Sequence, residues 1–187
     1  DPRLLFERRT SPGLDLSQSD LTRNFIPRRR PEREQTRLYD TYWSKVEARF
    51  RGSEKTFDAF ARDYIALGAK ASKQERADQI YFAFRREFGR IGSDTEGLEH
   101  VLGELLRFAR YHAAFSVSTG APAQLAEPLA RLRRLVDVPA ILIMRLFDCH
   151  ERLGTPGIDE FAEAIALWAS CGVRRALWGR PTRGHGR

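Results

Sequence analysis

The chain has 187 residues, 42% of them apolar and 11% aromatic, enough to bury one sizeable core or two small ones. Its formal charge is +7, from 32 basic and 25 acidic residues, and 28 of the basic residues are arginine. No apolar run approaches the roughly 20 residues of a bilayer span, no charged-then-apolar leader opens the chain, and Cys149 and Cys171 form neither a C-x-x-C pair nor a disulfide framework. A membrane partner, a secretory leader and a zinc ribbon are thereby set aside, and a cytoplasmic protein is expected. A chain beginning at Asp1 reads as an internal fragment.

Residues 1 to 16 read as a short lead-in segment, with a turn at Pro12-Gly13 and Leu14 and Leu16 as apolar anchors. Ser17 then opens a helix: its hydroxyl can cap free backbone N–H groups while Asp20 sits where the helix dipole favours a carboxylate. Pro27 and Pro31 bracket the basic run Arg28, Arg29, Arg30, ending this helix and starting the next. From Pro31 to about Phe50, Leu38, Tyr42, Trp43 and Val46 recur at helical spacing. Gly52-Ser53 breaks the pattern. Phe57, Phe60, Ala61, Tyr64 and Ile65 mark a further helix that Gly68 can terminate.

Ser72-x-x-Glu75 is a second capping box, followed by Ile80, Tyr81, Phe84 and Phe88. Ser93-x-x-Glu96 opens a long helix with Leu98, Val101, Leu102, Leu105, Leu106, Phe108 and Ala109 on its buried side, running to about Phe115. After a loop at residues 116 to 122, Leu125, Leu129, Leu132 and Leu135 recur at helical spacing. The apolar run from Ile141 to Phe147 fits a buried strand or a core helix, and its continuation through Leu153 with Met and Leu favours the helix. Thr155-Pro156 has the form of an N-cap followed by proline at the first helical turn, and Phe161, Ile165, Trp168 and Val173 carry the last helix. The sum is an all-α chain, an irregular bundle of about seven to eight helices over residues 17 to 179, with a loose basic tail over residues 180 to 187.

Phosphate-loop, dinucleotide and nucleophile-elbow signatures are missing. Glu96, His100 and Glu104 share one helical face and could ligate a metal, but no second helix supplies further ligands, so a solvated face is favoured. Cys149-His150 is a weak thiolate–imidazole candidate, because neighbours on a helix point about 100° apart; Cys149 is expected in the core. His112, His150 and His185 are dispersed. The aromatic set Tyr42, Trp43, Phe57, Phe60, Tyr64, Tyr81, Phe84 and Phe88 could stack bases, yet its helical spacing favours packing. The arginine content fits compositional bias and an anionic partner equally. Arg28 to Arg30, and the five arginines from Arg174 to Arg187 with no acid among them, are the places where phosphate would be held by charge and bidentate contacts.

One resemblance spans nearly the whole chain. The stretch Phe6 to Asn24 resembles the F-E-R-x-N-S-x-G-x-x-L-S-x-x-D-L-x-R-N box of GmrS, the NTP-dependent part of GmrSD-type, modification-dependent (type IV) restriction endonucleases. Leu38-Tyr-Asp-Thr-Tyr-Trp-Ser-Lys-Val-Glu47 is similar to that family's L-Y-x-x-Y-W-x-x-x-E helix. Phe57 to Tyr64 resembles its F-x-x-F-x-R-x-Y segment, Ile80 to Phe84 its V-Y-x-x-F segment, and Val173 to Thr182 its closing V-R-R motif.

The resemblance implies antiphage defence, with a nucleotide-binding ParB/sulfiredoxin-like domain lying upstream together with its D-G-Q-Q-R box, and an HNH-type nuclease domain or subunit as partner. Residues 1 to 16 would be the trailing edge of that upstream domain. NTP and Mg²⁺ would belong to the full parent protein, contacted by the box residues Thr10, Ser11, Gly13, Asp20 and Arg23. Thr10 stands where the family's box has Asn, and Pro12 withdraws a backbone N–H from the turn. DNA phosphate would be met by Arg28, Arg29, Arg30, Arg174, Arg175 and Arg180. The helical region itself is expected to be non-catalytic, coupling nucleotide state to DNA sensing; a protein–protein scaffold assembling with the nuclease is the alternative.

Overall fold

A computed structural model describes residues 31–68, 95–135 and 140–178, and every regular element among them is helical. The all-α class is as expected. The expected helix at Ser17 and the one carrying Ile80 to Phe88 lie outside the described residues, which hold six helices.

Helix α1 is continuous but not uniform: α-helical Glu32–Leu38 runs into a π-helical turn, Tyr39–Trp43, and resumes as α-helical Ser44–Arg49. Pro31 occupies the N-cap position, where its missing N–H costs nothing, and Glu32 and Glu34 complement the dipole in the first turn. In the wide turn the Ser44 N–H reaches back five residues to the Tyr39 carbonyl. In a regular α-helix, positions eight apart are about 80° out of line. The wider turn rotates less per residue, so Tyr39, Trp43 and Glu47 come onto one face. There the Tyr39 hydroxyl donates to Glu47 Oε2 at 2.9 Å and the Trp43 indole N–H to Glu47 Oε1 at 2.9 Å. The buried indole thus has its obligatory acceptor.

Gly52, at φ 80°, turns the chain, and the Ser53 carbonyl takes the first N–H groups of α2, Glu54–Gly68. Helix α3, Thr95–Ser116, is the hub. It packs against α1, α2, α4 (Ala123–Leu135) and α5 (Ala140–Leu153), while α6 (Ile158–Leu177) lies mainly on α4. A helix surrounded this way must lose its polar face, and from Tyr111 to Phe115 five consecutive residues are buried. Leu125, Leu129 and Leu132 bury the inner face of α4 as their spacing predicts.

The apolar run of α5 is the core helix favoured by its length: Ile143, Met144 and Phe147 point inward while Leu142 and Arg145 face out. A strand would have alternated instead. A chain of rings ties four helices together, from Tyr64 to Phe108 (5.7 Å), Tyr111 (5.6 Å), Phe147 (5.3 Å, parallel) and Phe161 (5.0 Å). Each buried ring is worth about 1.5–3 kcal/mol in transfer energy, and the contact geometry adds orientation.

Two local expectations are corrected. Thr155-Pro156 does not start α6, which begins at Ile158. Gly157 is its cap: the Gly157 N–H donates to Glu160 Oε2 at 2.9 Å, half of a capping box, and the Gly157 carbonyl takes the first helical bond, from the Phe161 N–H, fixing the start two residues later. The Pro156 carbonyl instead accepts from His150 Nδ1 at 2.7 Å. Cys149 is only half-buried, because Asp148 takes the inward position beside it.

Candidate functional site

Of the residues expected to contact nucleotide or DNA, Thr10, Ser11, Gly13, Asp20, Arg23, Arg28, Arg29, Arg30 and Arg180 lie outside the described residues. Arg174 and Arg175 are neighbours in the last stretch of α6, and the Arg174 side chain is exposed. Tyr42, Trp43, Phe57, Phe60 and Tyr64 belong to the core or pack against it, which answers their choice between stacking bases and packing; Tyr81, Phe84 and Phe88 fall outside the described residues.

Five other arginines join helix to helix or close a helix end, and a sixth, Arg152, pairs within its own helix. Arg37 of α1 pairs with Glu99 of α3, and that carboxylate holds the guanidinium above its ordinary pKa through the hydrogen bond and its charge. Tyr42 reaches the other Glu99 oxygen at 3.5 Å. Arg110 of α3 lies 2.5 Å from Glu151 of α5, whose same oxygen accepts from the Tyr111 hydroxyl at 2.9 Å. Arg107 Nε is 3.1 Å from Asp148 Oδ1, yet the two atoms miss hydrogen-bond alignment, so the contact is ionic; Arg152 adds a longer contact at 3.7 Å. Arg133 and Arg145 donate to carbonyl groups at the C-terminal ends of α3 and α2. Arginine is suited to all of these, since its fork satisfies carboxylates and paired carbonyls in fixed geometry. Part of the arginine excess is therefore structural. Arg174 has no such partner among the described residues.

Among the described residues, the more enclosed of the two buried polar or charged side chains is one that sequence spacing left dispersed. His112, buried in the middle of the fold, lies edge-on to Phe50 and Phe60, with ring centres 5.8 and 5.5 Å away. Its Nε2 is 3.4 Å from Asp63 Oδ2 of α2, and its Nδ1 is 3.2 Å from the Ser116 hydroxyl. The components match those of a nucleophile–base–acid set, but the connections do not serve that chemistry. The Ser116 hydroxyl gives its single proton to the His112 carbonyl at 2.8 Å. The adjoining backbone presents helix-end carbonyls, already taken up by Arg133, where an oxyanion would need N–H donors. The arrangement ties α2 to α3. His112 and Ser116 at i, i+4 carried part of this signal in sequence; Asp63, from another helix, carried none.

His100 is exposed on α3, and among the described residues no group of three or more His, Cys, Asp or Glu is placed to hold a metal ion. Among them, too, no helix is long and apolar enough to cross a membrane. Comparison of the chain with protein-family models, with curated proteins and with solved structures finds no match.

Proposed function

We propose that the chain is the helical portion of a GmrS-like component of a modification-dependent restriction system, coupling nucleotide state to DNA sensing and to an HNH-type nuclease without catalysis of its own. The observation that carries this reading is Arg174: it stands exposed in the stretch resembling the family's closing V-R-R motif, with no ion-pair partner among the described residues. Support also comes from the L-Y-x-x-Y-W-x-x-x-E stretch, whose Leu38, Trp43 and Glu47 hold α1 to itself and to the core. A rigid body of that kind is what transmission between two sites requires.

Duplex-DNA binding measured across a salt series tests it. Phosphate contact predicts a steep fall of affinity with salt, and a shallower slope for Arg174→Ala combined with Arg175→Ala. No binding at low salt would overturn DNA contact. NTP and Mg²⁺ are expected to bind weakly at best, since the nucleotide site would lie mainly in the upstream domain. The scaffold reading is favoured by one feature, the exposed Leu153 at the end of α5, Leu167 midway along α6 and Trp178 just past its end.

A further inference from the structure

Helix α6 has a second face. Phe161, Ile165 and Ala169 pack inward, as the expected amphipathic pattern requires. On the opposite side, Glu160, Ala164, Leu167, Cys171, Arg174 and Trp178 follow one another at alternating steps of four and three residues, and all six are exposed. Any helix face repeats at these steps, but here Ala164, Leu167, Cys171 and Trp178 make the outward stripe apolar between its charged positions, as on a face that pairs with another helix. Leu167 is 73% and Trp178 81% exposed, so the two largest apolar groups on this stripe are not covered by the described residues.

The charges on this stripe say what covers it. Its acids, Glu160 and the flanking Glu163, lie at the start of α6, and its base, Arg174, lies at the end. Neither Glu163 nor Arg174 has an ion-pair partner among the described residues. A parallel partner of the same sequence would set like charges together. An antiparallel one sets the acidic end of each helix against the basic end of the other.

We infer that the occupant is a second copy of this chain, with α6 pairing antiparallel about a twofold axis that passes between Leu167 and Cys171 on the outward stripe. Leu167 then meets Cys171 of the second copy, and Arg174 lies beside Ala164 with Glu160 and Glu163 of that copy within one turn. The contact is isologous and closes as a dimer. A single helix pair is at the small end of specific interfaces, so dissociation constants on the order of 10 μM are expected. The inference does not rest on the DNA-contact reading, although both use Arg174.

Sedimentation equilibrium of the full chain over a concentration series tests it, with circular dichroism as the fold control. The wild type is expected to pass from monomer to dimer. Leu167→Glu, at an exposed position, should remain folded and monomeric, and Cys171→Lys provides the same test one turn on. Arg174→Glu should weaken the dimer by roughly tenfold, and Glu163→Arg in the same chain should restore it. Glu163 is the residue to exchange because Glu160 caps the helix. A wild type that stays monomeric to about 200 μM, well above the expected range, would overturn the inference. So would self-association unmoved by Leu167→Glu, or a double variant no tighter than Arg174→Glu. The double variant restores the dimer while leaving an acid at position 174, so loss of DNA binding and loss of pairing are read separately.

Discussion

Arg133 of α4 donates to the carbonyl oxygen of Phe115, near the end of α3, at 2.8 Å, and the same nitrogen reaches the Ser116 carbonyl at 3.1 Å. The last carbonyls of a helix have no intrahelical partner and carry the negative end of its dipole, so a guanidinium there answers both needs. Arg133→Met is expected to lower unfolding free energy by about 1–2 kcal/mol, and Arg133→Lys to recover part of it. A urea midpoint unchanged in the methionine variant would show that solvent serves those carbonyls equally well.

Glu47 should matter more than its half-exposed position suggests. Glu47→Leu leaves the buried Trp43 N–H without its acceptor, at a cost of about 1–3 kcal/mol. Glu47→Gln keeps one good acceptor and should lose less. Near-ultraviolet circular dichroism of the indole, followed with thermal melts, would check both; equal melting temperatures for the two variants would contradict the account.

Alkaline pH is expected to weaken the fold through two phenols. Burial chiefly raises the pKa of Tyr64, with the Glu104 charge adding to it. Burial also leads for Tyr111, followed by its hydrogen bond to Glu151 and that carboxylate's charge. An acid whose pKa is raised by folding contributes stability that is full below its ordinary value, 10.0 here, and is lost as pH climbs toward the raised value. Unfolding free energy should therefore fall steadily as pH rises above about 10, and Tyr111→Phe should fall less steeply. Parallel profiles for wild type and variant would remove Tyr111 as a source.

Gly154 closes α5 with φ 68°, and its N–H donates to the His150 carbonyl at 3.1 Å. A Cβ there would meet nothing within 4 Å, so Gly154→Ala tests backbone conformation alone. The expected cost is about 1 kcal/mol, smaller for Gly154→Asn. A loss of several kcal/mol in calorimetry would point to packing that the open surroundings do not provide.

The helices of this fold are legible in the sequence wherever burial repeats with the helical period, as in Leu125, Leu129 and Leu132 or in Phe57, Phe60 and Tyr64. Length settled the strand-or-helix choice over Ile141 to Phe147, because a strand has no use for fourteen consecutive residues. What periodicity misses is contact at a distance: Asp63 with His112, Arg145 with the Leu67 carbonyl, and Arg133 with Phe115 each join different helices. Arginine composition left compositional bias and an anionic partner equal, and did not foresee that several of these side chains turn toward the bundle itself. The start of α6 was misplaced because Thr155-Pro156 mimics a helix opening, while Glu160, three residues beyond Gly157, makes the actual cap. For the candidate site, only the Arg174–Arg175 stretch of the expected contacts falls among the described residues.

The wide turn at Tyr39–Trp43 behaves as one residue inserted into an otherwise ordinary helix. Removing a single residue between Leu38 and Trp43 should shorten that turn to a normal one while leaving Leu38, Trp43 and Val46 able to face inward. A distant relative built on the same plan would then differ from this chain by a one-residue gap in the middle of its most distinctive motif. The Tyr–Trp–Glu triplet, read with that gap permitted, would be a better signature for tracing descent than the fixed ten-residue string.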